Sequence, residues 1–366
     1  MRVALDHFPA MTHAPGVGRY ARELVRALAP LEDRPELVLA RFGRGRAVFD
    51  DPALGLVGSE RVRRVGAPLP RRLWRALDRI GLGPERFAGS VDLFQRILPG
   101  WPPLGALPSV RAVSELPPPG HPDEARIRAE LALDDAWIVF SAAGEEALVE
   151  RFGLPVERVH RTPVGCDHWV RDLPVVRSQP ERPYLLVLGA LRRARHPDRI
   201  LDAFDALRPA APELELVFCG GRGDAAEHLE RRLSFSSGRS SVRWIAPVES
   251  ELPELVAGAS ALVHLSEGEL TPVTPLEALA AGTPVVVSDC SAFREALGDE
   301  AIYVPTPLSL RHRKAFPDQL AEAVASKSDR AACQRRIDLA ARFTWHDCAR
   351  RTVEVWNTIA GCRANA

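Results

Sequence analysis

The stretch Glu269-Leu-Thr-Pro-Val-Thr-Pro-Leu-Glu277-Ala-Leu-Ala-Ala-Gly282-Thr-Pro-Val-Val-Val-Ser-Asp289 sets two carboxylates eight positions apart, ahead of a helix-forming run and an apolar strand. Ala261-Leu-Val-His-Leu265 precedes it as a strand whose carboxyl end feeds the loop. Thr274-Pro275-Leu276-Glu277 then reads as a helix start, with Thr274 as N-cap, Pro275 at the first helical position and Glu277 three past the cap. Gly282 closes the helix, and Val285–Ser288 is the next strand. Such a helix start presents free N–H groups, here expected at Val273, Thr274, Leu276 and Glu277, together with the positive end of the dipole. It is a seat for a phosphate. Glu277 in that place serves a capping box or a ligand; Glu269 has no capping role.

Working outward, short β-branched runs alternate with helical patterns, which is the signature of βα units and parallel sheets. In the first half, Val3–Leu5, Glu36–Ala40, Val110–Val113 and Trp137–Phe140 read as strands. Gly18–Leu28, Arg71–Ile80 and Gly144–Arg151 read as helices. A proline-bracketed polar linker, Leu173–Pro180, separates these from a second series. There the strands are Tyr184–Leu188, Leu214–Phe218, Val242–Ile245, Ala261–Leu265, Val285–Ser288 and Ile302–Val304, with a helix at Arg199–Leu207. Trp345–Ile359 is a final helix with no strand after it. The expected organisation is two parallel α/β domains, 1–175 and 176–344, followed by a terminal helix in 345–366. Ligand is expected between such domains, at the carboxyl ends of the strands.

The chain of 366 residues balances 48 basic against 48 acidic side chains, which argues against general nucleic-acid binding. Its six cysteines show no C-x-x-C spacing, so reduced thiols are expected rather than a disulfide framework or a zinc site. No apolar signal core and no membrane-length apolar run is visible, and a cytoplasmic protein is expected.

The E-x7-E pair followed by Leu-Glu-Ala-Leu-Ala-Ala-Gly-Thr-Pro-Val-Val resembles the retaining GT-B glycosyltransferases of the family 4 kind. That resemblance implies two Rossmann-like domains facing across a cleft, with the last helix crossing back to the N-terminal domain. It implies that Glu269 faces the donor sugar and that Glu277 holds the ribose of the nucleotide. Val187-Leu-Gly189-Ala-Leu-Arg-Arg-Ala-Arg195 is similar to the family's strand-glycine segment, which puts Arg195 on the donor diphosphate. A guanidinium binds phosphate oxygens in pairs. Some relatives carry a second basic residue where Ala190 stands, leaving that contact to Arg192 or to no side chain. Gly220, in Cys219-Gly-Gly-Arg-Gly223, resembles the family's glycine turn, and Ile245, in Trp244-Ile-Ala246, lies in the segment whose backbone reads the base.

Pro15-Gly16-Val-Gly18-Arg-Tyr20-Ala21 matches G-x-G-x-x-A, a dinucleotide fingerprint. About ten residues separate Leu5 from Gly16, however, and the acidic residue about 20 further on, Glu36, opens a strand instead of ending one. The loop more closely resembles the Gly-Ile-Gly-Arg-Tyr segment of family 4 transferases, which faces the diphosphate. A glycine loop before a helix lets backbone amides approach a phosphate.

The chain departs from the family where relatives carry a His-Asp pair near the acceptor. Here the pair is Ser114-Glu115, with His121-Pro122 following, and Gly144 stands where relatives have a serine. Serine offers a hydrogen bond but takes no charge. A non-catalytic nucleotide-sugar binder or partner subunit is therefore the second reading beside a hexosyltransferase. Pro99–Pro122, with eight prolines, reads as a stiff acceptor-facing segment or a structural loop. Arg71–Ile80 sets an apolar stripe of Leu73, Leu77 and Ile80 among four arginines. It reads as an amphipathic core helix or as a contact with the inner face of an anionic membrane. No D-x-D triplet occurs, and no metal or other cofactor is expected. The expected partners are a nucleotide-diphosphate sugar and a glycan or lipid-linked acceptor.

Overall fold

The computed structural model describes residues 1–12, 16–44, 52–59, 61–67, 69–80, 82, 86, 88–98, 101, 107–169, 180–236, 238–246, 248–306 and 310–364. They form two compact units, Met1–Gly165 with Trp345–Ala366, and Cys166–Thr344. Apart from Pro180, the expected linker lies outside the described residues, as does part of Pro99–Pro122.

In the first unit, strands β1 (Arg2–Asp6), β2 (Glu36–Phe42), β3 (Val62–Ala67), β4 (Leu93–Arg96), β5 (Ser109–Ala112), β6 (Ala136–Val139) and β7 (Val159–Arg161) form one sheet in the order β3-β2-β1-β4-β5-β6-β7. Neighbouring strands run parallel, with Val3 opposite Leu37 on one side and Leu93 on the other. Strands covered on both faces read as unbroken apolar runs, and Val3, Ala4, Leu37, Val38 and Leu39 are all buried. Gly16 precedes the helix Val17–Leu28 at φ 64°, a conformation that disfavours a β-carbon, and its carbonyl accepts the N–H of Tyr20 at 2.9 Å. Gly18 is buried inside the first turn of that helix.

The terminal helix Trp345–Ala364 is part of this unit. The Trp356 indole Nε1 donates to Gln95 Oε1 at 2.7 Å, and Gln95 Nε2 donates to the Tyr20 hydroxyl at 2.8 Å. The Tyr20 ring meets Phe140 edge-on at 4.9 Å and lies 6.3 Å from Trp345. A buried polar chain thus fixes the helix against β4 and the helix Val17–Leu28.

The helix expected over Arg71–Ile80 spans Arg71–Asp78. Its apolar residues divide differently from the expected stripe. Trp74 is fully buried and Leu77 packs behind it, whereas Leu73 is 43% and Ile80 70% exposed. The indole fills the core position, meeting Phe42 edge-on, and turns Leu73 outward.

In the second unit, strands β8 (Tyr184–Leu188), β9 (Glu215–Cys219), β10 (Val242–Ile245), β11 (Ala261–His264), β12 (Val285–Ser288) and β13 (Ala301–Val304) form a parallel sheet in the order β10-β9-β8-β11-β12-β13. Leu185, Leu216, Ala261 and Val286 pack with Ile200, Phe204, Phe316 and Leu320 in its core. Strand order reverses between β8 and β11, the topological switch point at whose carboxyl side open α/β sheets hold ligand.

Candidate functional site

The residues at that switch point follow from the two strands that flank it. Past β8, Gly189-Ala-Leu-Arg-Arg-Ala-Arg195 closes a short turn, and Arg195 Nη1 donates back to the Leu188 carbonyl at 3.2 Å. Past β11, Leu265–Glu269 forms the facing loop, pinned where the Ser266 N–H donates to Ser288 Oγ at 2.8 Å. Two histidine–carboxylate pairs stand here, and the first ties turn to loop. His196 Nε2 lies 2.9 Å from Glu267 Oε1, and the Glu267 N–H donates to the Ala194 carbonyl at 3.0 Å. His196 is held at φ 49°, a left-handed conformation that costs a non-glycine residue about 1–2 kcal/mol. The second pair is His264 Nε2 with Glu269 Oε2 at 3.0 Å.

Arg195, His264 and Glu269 make one cluster. Arg195 Nη2 is 3.5 Å from Glu269 Oε2, and Arg195 Nη1 is 3.5 Å from His264 Nδ1. Burial works against the Glu269 charge, but His264 and Arg195 outweigh it, with help from the Ser266 hydroxyl, and hold the carboxyl down at about 2. Glu269 is therefore an ionised carboxylate at neutral pH, fit to accept hydrogen bonds and to face positive charge, and unfit to donate a proton. The sequence reading picked out Arg195 and Glu269 but passed over His264, which closes an apolar strand and reads there as a core residue. The available signal was its position, the last residue of a strand beside the switch point and five before Glu269.

Two expectations for the helix start need correcting. The helix runs Val273–Ala280 with Pro272 at the N-cap, so Thr274 is the second helical residue and not the cap. The Leu276 N–H is not free for a ligand, because it donates to the Pro272 carbonyl at 3.0 Å. Proline at 275 supplies no N–H. The amides of Val273 and Thr274 are the first two of the helix.

Glu277 lies deeper in the helix than a capping box requires and is fully buried. Its Oε1 faces His168 Nε2 at 3.1 Å, with the side chains 1% and 3% exposed. His168 in turn packs beside Trp169, ring centroids 5.1 Å apart.

Gly220 and Gly223 let two loops touch. A β-carbon on Gly220 would stand 1.8 Å from the Gly189 carbonyl oxygen, and one on Gly223 would stand 2.2 Å from that of Leu191. The Gly220 N–H donates to the Ile245 carbonyl at 3.1 Å, and the Trp244 indole donates to the Gly220 carbonyl at 2.9 Å. These bonds occupy the Ile245 carbonyl and fix the ends of β9 and β10 side by side. A cavity of about 260 Å³ opens there, lined by Cys219, Ile245, Ala246, Val248, Leu252 and their neighbours.

Ser114 and Glu115, with Gly16 and Gly18, belong to the first unit. Ser114 is half-buried and Glu115 exposed, just past β5. Ser141 caps the helix Ala142–Glu146, its hydroxyl accepting the Gly144 N–H at 3.2 Å. Among the described residues, no three His, Cys, Asp or Glu side chains are grouped to hold a metal ion. Cys166, Cys219, Cys290, Cys333 and Cys348 are free thiols. No described helix is long and apolar enough to cross a membrane.

Residues 172–336 match the family model described as "Glycosyl transferases group 1". The chain is 24% identical over 242 residues to O-antigen chain mannosyltransferase B of Escherichia coli, covering 62% of each chain. It is 26% identical over 252 residues to alpha-maltose-1-phosphate synthase of Mycolicibacterium smegmatis, covering 62% of this chain and 64% of that one. The matched stretch thus spans less than two thirds of these relatives. Sucrose-phosphate synthase from Thermosynechococcus elongatus superposes with a TM-score of 0.72 at 16% identity, covering 99% of this chain and 100% of that one. The Anabaena Alr3699/HepE structure in complex with UDP and glucose gives 0.73 at 16% identity, covering 98% and 99%. The fold is GT-B, with two Rossmann-like parallel-sheet units. The family-model match lies within the second unit.

Proposed function

We propose that this protein transfers a hexose from a nucleotide-diphosphate sugar, with GDP or UDP as the nucleotide, to a glycan or lipid-linked acceptor. The observation that carries the reading is the meeting of Arg195 and Glu269 at the β8/β11 switch point. A guanidinium there neutralises a diphosphate as it leaves, and the Val273 and Thr274 amides add the positive end of a helix where negative charge grows. Glu269, kept ionised, orients sugar hydroxyls and faces the positive charge that develops at the anomeric carbon. Retention follows if the leaving phosphate takes the acceptor proton on the same face of the sugar. Charge neutralisation by these groups suits a metal-independent reaction. Glu277 takes the ribose once His168 has moved aside, and Ile245 and Gly220 shape the base end.

The relatives named above as a mannosyltransferase and a maltose-phosphate synthase, and the structural neighbour bound to UDP and glucose, support this donor class. The exposed Leu73 and Ile80, beside exposed Arg72 and Arg79, suit contact with an anionic membrane face, and a cytoplasmic enzyme working there on a lipid-linked acceptor is the setting we assign.

Calorimetry with UDP and GDP tests the donor site, and a panel of nucleotide sugars tests turnover. Micromolar binding of one nucleotide with transfer or slow donor hydrolysis is expected; binding of neither would sink the reading. Ser114, in place of a group that can carry charge, favours one alternative, a nucleotide-sugar-binding partner subunit without activity. Binding with no turnover of any donor would select it.

A further inference from the structure

We propose that His264 is a positioning residue that holds the sugar-facing carboxylate and the phosphate-facing guanidinium in register through its two ring nitrogens. The proposal rests on the donor-site reading above. Arginine only donates hydrogen bonds and an ionised carboxylate only accepts them. The ring that suits both partners carries its proton on Nε2, donating to Glu269 Oε2 at 3.0 Å, and offers its Nδ1 lone pair toward Arg195 Nη1 at 3.5 Å. A single tautomer therefore serves both ends: the other would set an Nδ1–H against the Arg195 N–H and an Nε2 lone pair against the carboxylate, and a half turn of the ring about χ2 would put C–H groups at both contacts.

The surroundings fix that orientation. His264 ends β11, is 2% exposed, and has Phe293 alongside at 5.8 Å between ring centroids. Without the ring, Glu269 keeps only the Arg195 contact at 3.5 Å and the Ser266 hydroxyl, and the two charged groups are drawn into a closer pair with each other. A guanidinium neutralised by its neighbour is a weaker ligand for diphosphate, and a displaced carboxylate misses the sugar. Misplacement of a binding group by about 1 Å is enough to cost on the order of 100-fold in rate.

The two nitrogens separate by substitution. In His264→Gln the amide nitrogen reaches the place of Nε2 and keeps the hold on Glu269. In His264→Asn the amide oxygen takes the place of Nδ1 and keeps the acceptor for Arg195. The experiment is calorimetry of the intact chain with UDP and GDP and with UDP-glucose and GDP-mannose, on wild type, His264→Ala, His264→Gln, His264→Asn and Glu269→Gln, with donor-hydrolysis kcat and KM where turnover occurs. His264→Ala should weaken the sugar conjugate about tenfold or more and lower kcat further. His264→Asn should restore affinity for the bare nucleoside diphosphate but leave kcat low; His264→Gln should restore the added affinity of the conjugate and most of kcat. A role in packing alone would give Gln and Asn the same profile. A folded His264→Ala with wild-type affinities and kcat, beside an impaired Glu269→Gln, would overturn the positioning role and leave the donor site standing. A wild type that binds none of the four ligands would overturn both.

Discussion

Glu277 Oε1 and His168 Nε2 stand 3.1 Å apart with almost no solvent at either side chain. On the proposed ribose role, a hydroxyl that takes up Oε1 has to displace the imidazole. Removing the carboxylate's hydrogen bonds to a nucleotide, as in Glu277→Gln, should cost about 1–3 kcal/mol of UDP or GDP affinity. His168→Ala should do the opposite, tightening nucleotide because nothing needs displacing. It should also lower the melting temperature, because a buried carboxylate left without its partner is destabilising by about 3 kcal/mol. Calorimetry and thermal melts on the two variants check both signs. Weaker binding in a folded His168→Ala would remove Glu277 from the ribose.

Glu269 sits at about 2, below its ordinary 4.5, so it lends the folded state stability that is complete above pH 5 and lost as pH falls toward 2. The shift corresponds to about 3 kcal/mol. Wild type should lose more stability between pH 5 and pH 3 than Glu269→Gln, measured by denaturant melts. Equal acid sensitivity would show that the cluster does not favour the ionised acid.

Gly220→Ala places a methyl group 1.8 Å from the Gly189 carbonyl, backbone against backbone, and should destabilise the second unit by about 3 kcal/mol. Gly221→Ala, with nothing within 4 Å of its β-carbon, should be nearly silent. Paired melting curves report the difference, and similar curves would refute the close approach of the two loops.

Trp356→Phe removes the indole N–H that Gln95 Oε1 accepts, leaving a buried amide oxygen unpaired at a cost of about 1–3 kcal/mol. Tyr20→Phe removes the acceptor of the same amide's N–H and should cost a similar amount. The two changes share Gln95, so the double variant should lose less than the sum of the singles. Strict additivity would mean that the chain of bonds is not one network.

The exposed Ile80 and Leu73 test the membrane assignment. Ile80→Asp combined with Arg79→Glu should abolish co-sedimentation with vesicles containing phosphatidylglycerol, leave folding unchanged, and spare binding of a soluble nucleotide. Equal sedimentation of variant and wild type would dismiss the helix as a membrane contact.

The sequence was most legible where burial is two-sided. Tyr184–Leu188 and Val285–Ser288 appear in the structure with the expected bounds, because an interior parallel strand needs unbroken apolar residues. It was least legible where polar residues lie in the sheet. Val62–Ala67 carries Arg63 and Arg64 on an edge, and Leu93–Arg96 carries Gln95 and Arg96 at the centre, so neither strand reads as one. Gln95 is buried there because Trp356 and Tyr20, far away in sequence, satisfy its amide. The site shows the same division. Arg195 and Glu269 were visible through motif spacing, whereas His264 and His168 take their meaning from partners that only the folded chain supplies.

The last helix carries a consequence for how the protein is made. Synthesis runs from the amino end, yet the sheet that starts the chain waits for Trp345–Ala364 to cover Tyr20 and Gln95. The second-translated unit, Cys166–Thr344, has its whole complement of strands as soon as it emerges, while the first-translated one stays unfinished until residues 345–364 have followed it out. A chaperone holding the nascent chain would find its apolar surface in the older half.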